Sequence, residues 1–138
     1  MNTGTWPASI SSIPSIQAFV ERVLGDWQLP PNRITQLTIA TEELVVNTIS
    51  HGYEKNADGM VEITIETTPE RVQICVSDSA RPFDPFQADA PDIDAPLTAR
   101  PQGGLGILMV KKLVDRFEYK RQTNRNIVTL TLLTPSKE

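Results

Sequence analysis

The chain has 138 residues, a length that suits one domain with a core of its own. Seventeen acidic against thirteen basic side chains give a net charge of -4, which argues against a nucleic-acid binder, since that would need a basic face. No apolar run approaches the roughly 20 residues that cross a bilayer, no basic-then-apolar leader opens the chain, and the single cysteine, Cys75, points to a reducing, cytoplasmic setting.

Residues 1–12 are polar, with a short alternation around Trp6 and Ile10 that predicts an edge strand, where Pro7 is tolerated. Residues 14–28 place Ile16, Phe19, Val20, Val23, Leu24 and Trp27 at helical spacing, and Pro30 and Pro31 stop that helix. A second helix is expected over residues 32–51. Its apolar residues occupy most of the circumference, as in a buried helix, and Gly52 ends it. Val61, Ile63 and Ile65, then Val72, Ile74 and Val76, alternate with polar residues as two strands of a hairpin turning at Thr68-Pro69-Glu70. Cys75 falls on the opposite face of its strand. Residues 81–102 have neither period and hold five of the eleven prolines and four aspartates, which suggests a lid. A third helix follows over 105–115, with Leu105, Leu108, Met109 and Leu113 read as inward. Strands over 117–121 and 127–133 flank a turn read as Thr123-Asn124-Arg125-Asn126. No internal repeat or linker interrupts residues 1–138. The class is α+β: a two-layer sandwich in which an open mixed or antiparallel sheet carries helices on one face.

Three clusters could carry chemistry. Glu43, Asn47 and His51 recur every four residues, which puts them on one stripe of the second helix. A carboxylate and an amide oxygen one turn apart are hard ligands suited to Mg²⁺ or to a positioned water. The stripe is otherwise a solvated face. Asp78 just past a buried strand could accept from a ligand amine, or simply shape a turn. Gly103-Gly104-Leu105-Gly106 opens the third helix, where bare backbone N–H groups and the helix N-terminus suit a phosphate. The same glycines could be a hinge. Neither a Walker loop nor a Rossmann fingerprint is present.

In order and spacing these clusters resemble the GHKL ATPase/kinase superfamily, and within it the bacterial anti-sigma-factor serine/threonine kinases. Ala40 to Asn47, ending at His51-Gly52-Tyr53, is similar to the family's N box; Asp78 with Pro82-Phe83-Asp84 to its G1 box; and Gly103-Gly104-Leu105-Gly106-Ile107 to its G2 box. The resemblance spans roughly residues 12–133. It implies an ATP site in which Glu43 is the general base and Asn47 holds Mg²⁺. Asp78 reads the adenine amine, Ala80 lies beside it, and Gly103, Gly104, Leu105 and Gly106 hold the phosphates. Residues 84–102 would close over the nucleotide. Ala80 stands where the family often has glycine, so a narrower adenine pocket is expected. Arg81, Arg100 and Lys111 are the candidate cations beyond Mg²⁺.

By the same resemblance the partners would be a sigma factor and a STAS-type anti-anti-sigma protein, with the chain a homodimer that touches neither nucleic acid nor membrane. A competing reading is a module that sequesters a protein partner, with or without nucleotide, and transfers no phosphate. A plain interaction domain leaves the Glu43/Asn47 stripe and the glycine cluster unexplained together.

Overall fold

A computed structural model describes residues 1–52, 59–86 and 104–133. Strand β1 (Asn2–Pro7) leads through a 3-10 turn to α1 (Ile13–Asp26) and α2 (Pro31–Asn47), and α2 winds on as a π turn over Thr48–Gly52. Strands β2 (Met60–Thr68) and β3 (Arg71–Asp78) precede α3 (Gly104–Leu113), β4 (Arg116–Gln122) and β5 (Arg125–Leu133). The sheet order is β1-β2-β3-β5-β4, and every pairing is antiparallel. Of the expected lid, residues 87–102 lie outside the described residues, as does Gly103.

Local chemistry explains the element ends. Pro14 sits in the first turn of α1, where its missing N–H costs nothing. After α1, Gln28 adopts a φ of 63°, and Leu29 N donates to Leu24 O at 3.3 Å while Gln28 N donates to Gly25 O at 3.0 Å. This is a Schellman closure with glutamine at the left-handed position. The alternation in β2, β3 and β5 sends Val61, Ile63, Ile65, Val72, Ile74 and Leu130 to one face, all buried beneath the helices. Trp6 of β1 packs edge-on to Phe19 of α1, with ring centroids 5.1 Å apart. The other face of the sheet carries Thr64, Gln73, half-buried Cys75, Thr129 and Thr131 and is covered by no helix of the described residues.

Two expectations need correction. First, the β4–β5 turn has only two residues, Thr123 and Asn124, with φ of 52° and 60°. Both are left-handed, as a tight primed turn requires, so Arg125 and Asn126 belong to the strand. Second, α3 buries Ile107 and Val110, with Val114 buried just past its end, whereas Met109 is 36% exposed and Leu108 and Leu113 are half-buried. Residues 105–110 are apolar apart from Gly106 and offer two overlapping stripes. Periodicity alone could not choose between them.

Candidate functional site

β3 ends at Asp78 on the helix-covered face, only 5% exposed. A carboxylate buried there is costly unless donors surround it. Three do: Thr48 Oγ1 donates to Oδ2 at 3.0 Å, and Ala80 N and Asn126 Nδ2 each donate to Oδ1 at 2.9 Å. Thr48 can point here because it follows directly on α2, one residue past Asn47. Asn126 faces Asp78 directly in the β3–β5 register. Beyond the strand, Arg121 donates to Ala80 O at 2.7 Å, which fixes the chain as it leaves β3.

Asp78 forms one end of a narrow cleft between α2 and the sheet. Leu44, Val76 and Val128 supply apolar walls, and Asn47, Thr48 and Asn126 supply polar ones. Phe83 and Pro85 complete it, so the segment leaving β3 folds over the opening. Phe86 anchors that segment. Its ring lies 4.6 Å from that of Phe117, and its carbonyl accepts from Lys111 Nζ at 3.3 Å. The cleft retains about 20 Å³ of free space, enough for roughly one water. A planar heterocycle could enter between the apolar walls, with an amine towards Asp78, only after Phe83 and Pro85 move. Ala80 is not among these walls. Its methyl group is buried and its N–H is held by Asp78, so the narrowing comes from Phe83 and Pro85.

One turn before Asn47, Glu43 leans towards α3. An added Cβ on Gly106 would meet the Glu43 carboxylate, so the bare glycine leaves the space that this carboxylate occupies against α3. Burial, and secondarily the Glu42 charge, push the Glu43 carboxyl above its ordinary value of 4.5. A carboxyl tuned upward takes a proton more readily near neutral pH. Asn47 is 5% exposed, and its Nδ2 donates to Glu43 O at 2.9 Å. Oδ1 is then the amide's remaining polar atom, and oxygen is the donor a hard cation takes. No cluster of three acidic, histidine or cysteine side chains exists among the described residues. A cation here would draw its other ligands from a bound anion and water, as Mg²⁺ commonly does.

The structure therefore brings Asn47 and Asp78 into one cleft and sets Glu43 against Gly106. Gly104 and Leu105 open α3, and Gly103 lies outside the described residues. Beyond Asn47 the helix continues as a π turn over Thr48–Gly52, and the side chain of His51, the third member of the expected stripe, lies outside the described residues. Sequence reasoning missed Thr48, Asn126 and Tyr119. For Asn126 a signal existed, because it shares strand parity with the buried Val128, Leu130 and Leu132.

Residues 6–132 match the family model described as histidine kinase-like ATPase domain. The chain is 25% identical over 133 residues to a serine-protein kinase RsbW of Staphylococcus epidermidis, covering 92% of this chain and 81% of that one. It is 32% identical over 94 residues to an anti-sigma F factor of Clostridium botulinum, covering 64% of this chain and 63% of that one. The fold superposes with a TM-score of 0.64, at 17% identity, on a Mycobacterium tuberculosis protein containing RsbU and RsbW domains. That match takes in 99% of this chain and 34% of the longer one.

Proposed function

The chain belongs to the histidine kinase-like ATPase domain family, and from that premise we propose that it is an ATP-dependent serine/threonine protein kinase that also acts as an anti-sigma factor. The observation that carries the reading is the placement of Asp78 and Asn47 in one cleft, with Glu43 one turn away against the glycine start of α3. In this reading Asp78 accepts from the adenine amine, and the apolar walls take the ring. Gly103, Gly104, Leu105 and Gly106 hold the phosphates at the N-terminus of α3, with Ala80 beside Asp78. Residues 81–102 form the lid of a single domain, and their first part is the segment that carries Phe83. Asn47 would hold Mg²⁺ through Oδ1, and the ion would neutralise phosphate charge. Glu43 takes the proton of the attacking hydroxyl. The partners are a sigma factor, sequestered in one state, and a STAS-type anti-anti-sigma domain, phosphorylated in another, in the cytoplasm. Among the described residues no helix is long and apolar enough to cross a membrane.

Two measurements test this. Mg-ATP at about 100 times its dissociation constant should stabilise the fold by about 2.7 kcal/mol in thermal melting. Incubation with Mg-ATP and a STAS domain from the same genome should produce phosphoserine or phosphothreonine on that domain. A melting shift without transfer to any cognate STAS domain favours the sequestering module instead; no shift at all removes the nucleotide reading.

The homodimer has support of its own on the face of the sheet that no helix of the described residues covers. In register, Glu62, Ser77, Ile127 and Lys120 form one row, and Glu66, Gln73, Thr131 and Arg116 another. On this face β2 carries Glu62 and Glu66, and β4 carries Arg116 and Lys120 on either side of Glu118. A twofold axis parallel to the strands, between β3 and β5, would set Glu62 and Glu66 opposite Lys120 and Arg116 of the second copy, as a self-complementary interface requires. Lys120→Glu should weaken the dimer in sedimentation velocity, and adding Glu62→Lys should restore it. A dimer indifferent to both changes would exclude this face.

A further inference from the structure

We propose that Asn126 is a positioning residue that holds the base-reading Asp78 and the cleft wall Phe83 as one unit, with the Tyr119 hydroxyl fixing its amide. This rests on the nucleotide reading above. Asn126 is 4% exposed and interrupts an otherwise apolar face of β5. A buried amide in such a place is tolerated only if its donors and acceptor are used.

All are used. Nδ2 donates to Asp78 Oδ1 and to Arg81 O, each at 2.9 Å, with Ala80 O at 3.4 Å as a weak third acceptor. Oδ1 accepts from Tyr119 Oη at 2.6 Å and from Phe83 N at 3.3 Å. The amide orientation follows from these partners. Flipping it would turn the NH₂ towards two donors and the carbonyl towards a carboxylate and a backbone carbonyl. Tyr119 reaches this point because it sits on the same sheet face, two residue pairs along the β4–β5 ladder.

The consequence concerns the free valence of Asp78. A carboxylate offers about four acceptor positions. Asn126 and Ala80 N occupy Oδ1, and Thr48 occupies one position on Oδ2. Among the described residues the remaining position is on Oδ2, and the Asn126 bond prevents the carboxylate from rotating to offer another. An acceptor fixed there attracts the ring amine of adenine and repels the ring carbonyl of guanine. The same side chain holds Phe83 N, so the acceptor and the nearest part of the lid keep a fixed spacing. Asn126 therefore sets the preference for ATP over GTP through the residues it bonds to.

Tyr119→Phe is the decisive variant, because it removes one hydroxyl from a half-buried ring and leaves the fold intact. Dissociation constants for Mg-ATP and Mg-GTP would be measured by equilibrium titration on the full chain, with melting as the fold control. Tyr119→Phe should weaken ATP binding by about two- to tenfold and GTP binding much less, so that the selectivity ratio falls. In an Asn126→Leu background the tyrosine change should add nothing, since its route to Asp78 is already cut. An unchanged ratio in Tyr119→Phe, whether both constants stay or rise together, overturns the proposal while leaving the ATP site standing. A wild-type chain that binds neither nucleotide overturns the site and this proposal with it.

Discussion

Glu43→Gln is expected to slow phosphoryl transfer by about 10²- to 10⁴-fold, the usual worth of a positioned base, with little change in affinity for Mg-ATP. Glutamine keeps the length and volume of the side chain, so its packing against Gly106 survives. It cannot take a proton. Single-turnover transfer to the partner domain, measured beside nucleotide titration, separates the two effects. A glutamine variant that still transfers at the wild-type rate removes Glu43 from the chemistry.

The raised carboxyl gives this variant two further signatures. The wild-type rate should fall towards acid along a limb lying above 4.5, because burial and Glu42 both favour the protonated form. The stability contribution of such a group is fully present below its unfolded value and is lost as pH rises through the folded one. At neutral pH the native state therefore carries a penalty that glutamine lacks. Glu43→Gln should melt no lower than wild type there, and the difference should vanish in acid. A lower melting temperature at neutral pH would show that the carboxylate is structurally favourable instead.

Asp78→Ala should weaken nucleotide binding and destabilise the fold together. Thr48 retains Leu44 O as an acceptor at 3.2 Å, and Asn126 retains Arg81 O, but Ala80 N loses its acceptor. That one stranded buried donor gives a loss of about 1–3 kcal/mol in chemical denaturation. Loss of a hydrogen bond to a charged group weakens ATP binding by about 10- to 150-fold. Asp78→Asn separates these roles. Its carbonyl can still accept from Ala80 N, so stability should recover in part, while the amide cannot replace the acceptor that reads the ring amine. Full ATP affinity in Asp78→Asn would mean that the base is read elsewhere.

Much of the architecture was legible because its periods are unambiguous. Ile16 to Leu24 could only be an amphipathic helix, and the alternations of β2 and β3 could only be half-covered strands. The hairpin and the edge position of Trp6 followed from turn and proline chemistry. Resemblance brought Glu43, Asn47, Asp78 and the glycines forward as a set, and the fold gathers the described members around α2 and the end of β3.

What escaped was set by tertiary context. Asn126 looked like a turn residue until two left-handed residues, Thr123 and Asn124, turned out to close the hairpin by themselves. Thr48 continued a helix in the sequence, yet the π turn and the end of β3 make it a partner of Asp78. The burial of Ile107 and Val110 over Leu108 and Met109 depends on how α3 meets its neighbours, which periodicity alone does not carry. Ala80 drew attention as a lost glycine, whereas the cleft is narrowed by Phe83 and Pro85, whose position depends on Asn126 and the Phe86–Phe117 contact.

A crystal structure of the chain with Mg²⁺ and a non-hydrolysable ATP analogue tests the central claim most directly. The expected complex has Phe83 and Pro85 displaced, the ring between Leu44, Val76 and Val128, and its amine within hydrogen-bond distance of Asp78 Oδ2. Asn47 Oδ1 coordinates the metal. An analogue bound away from α2, or one in the cleft with Asp78 and Asn47 keeping only their internal partners, would contradict it.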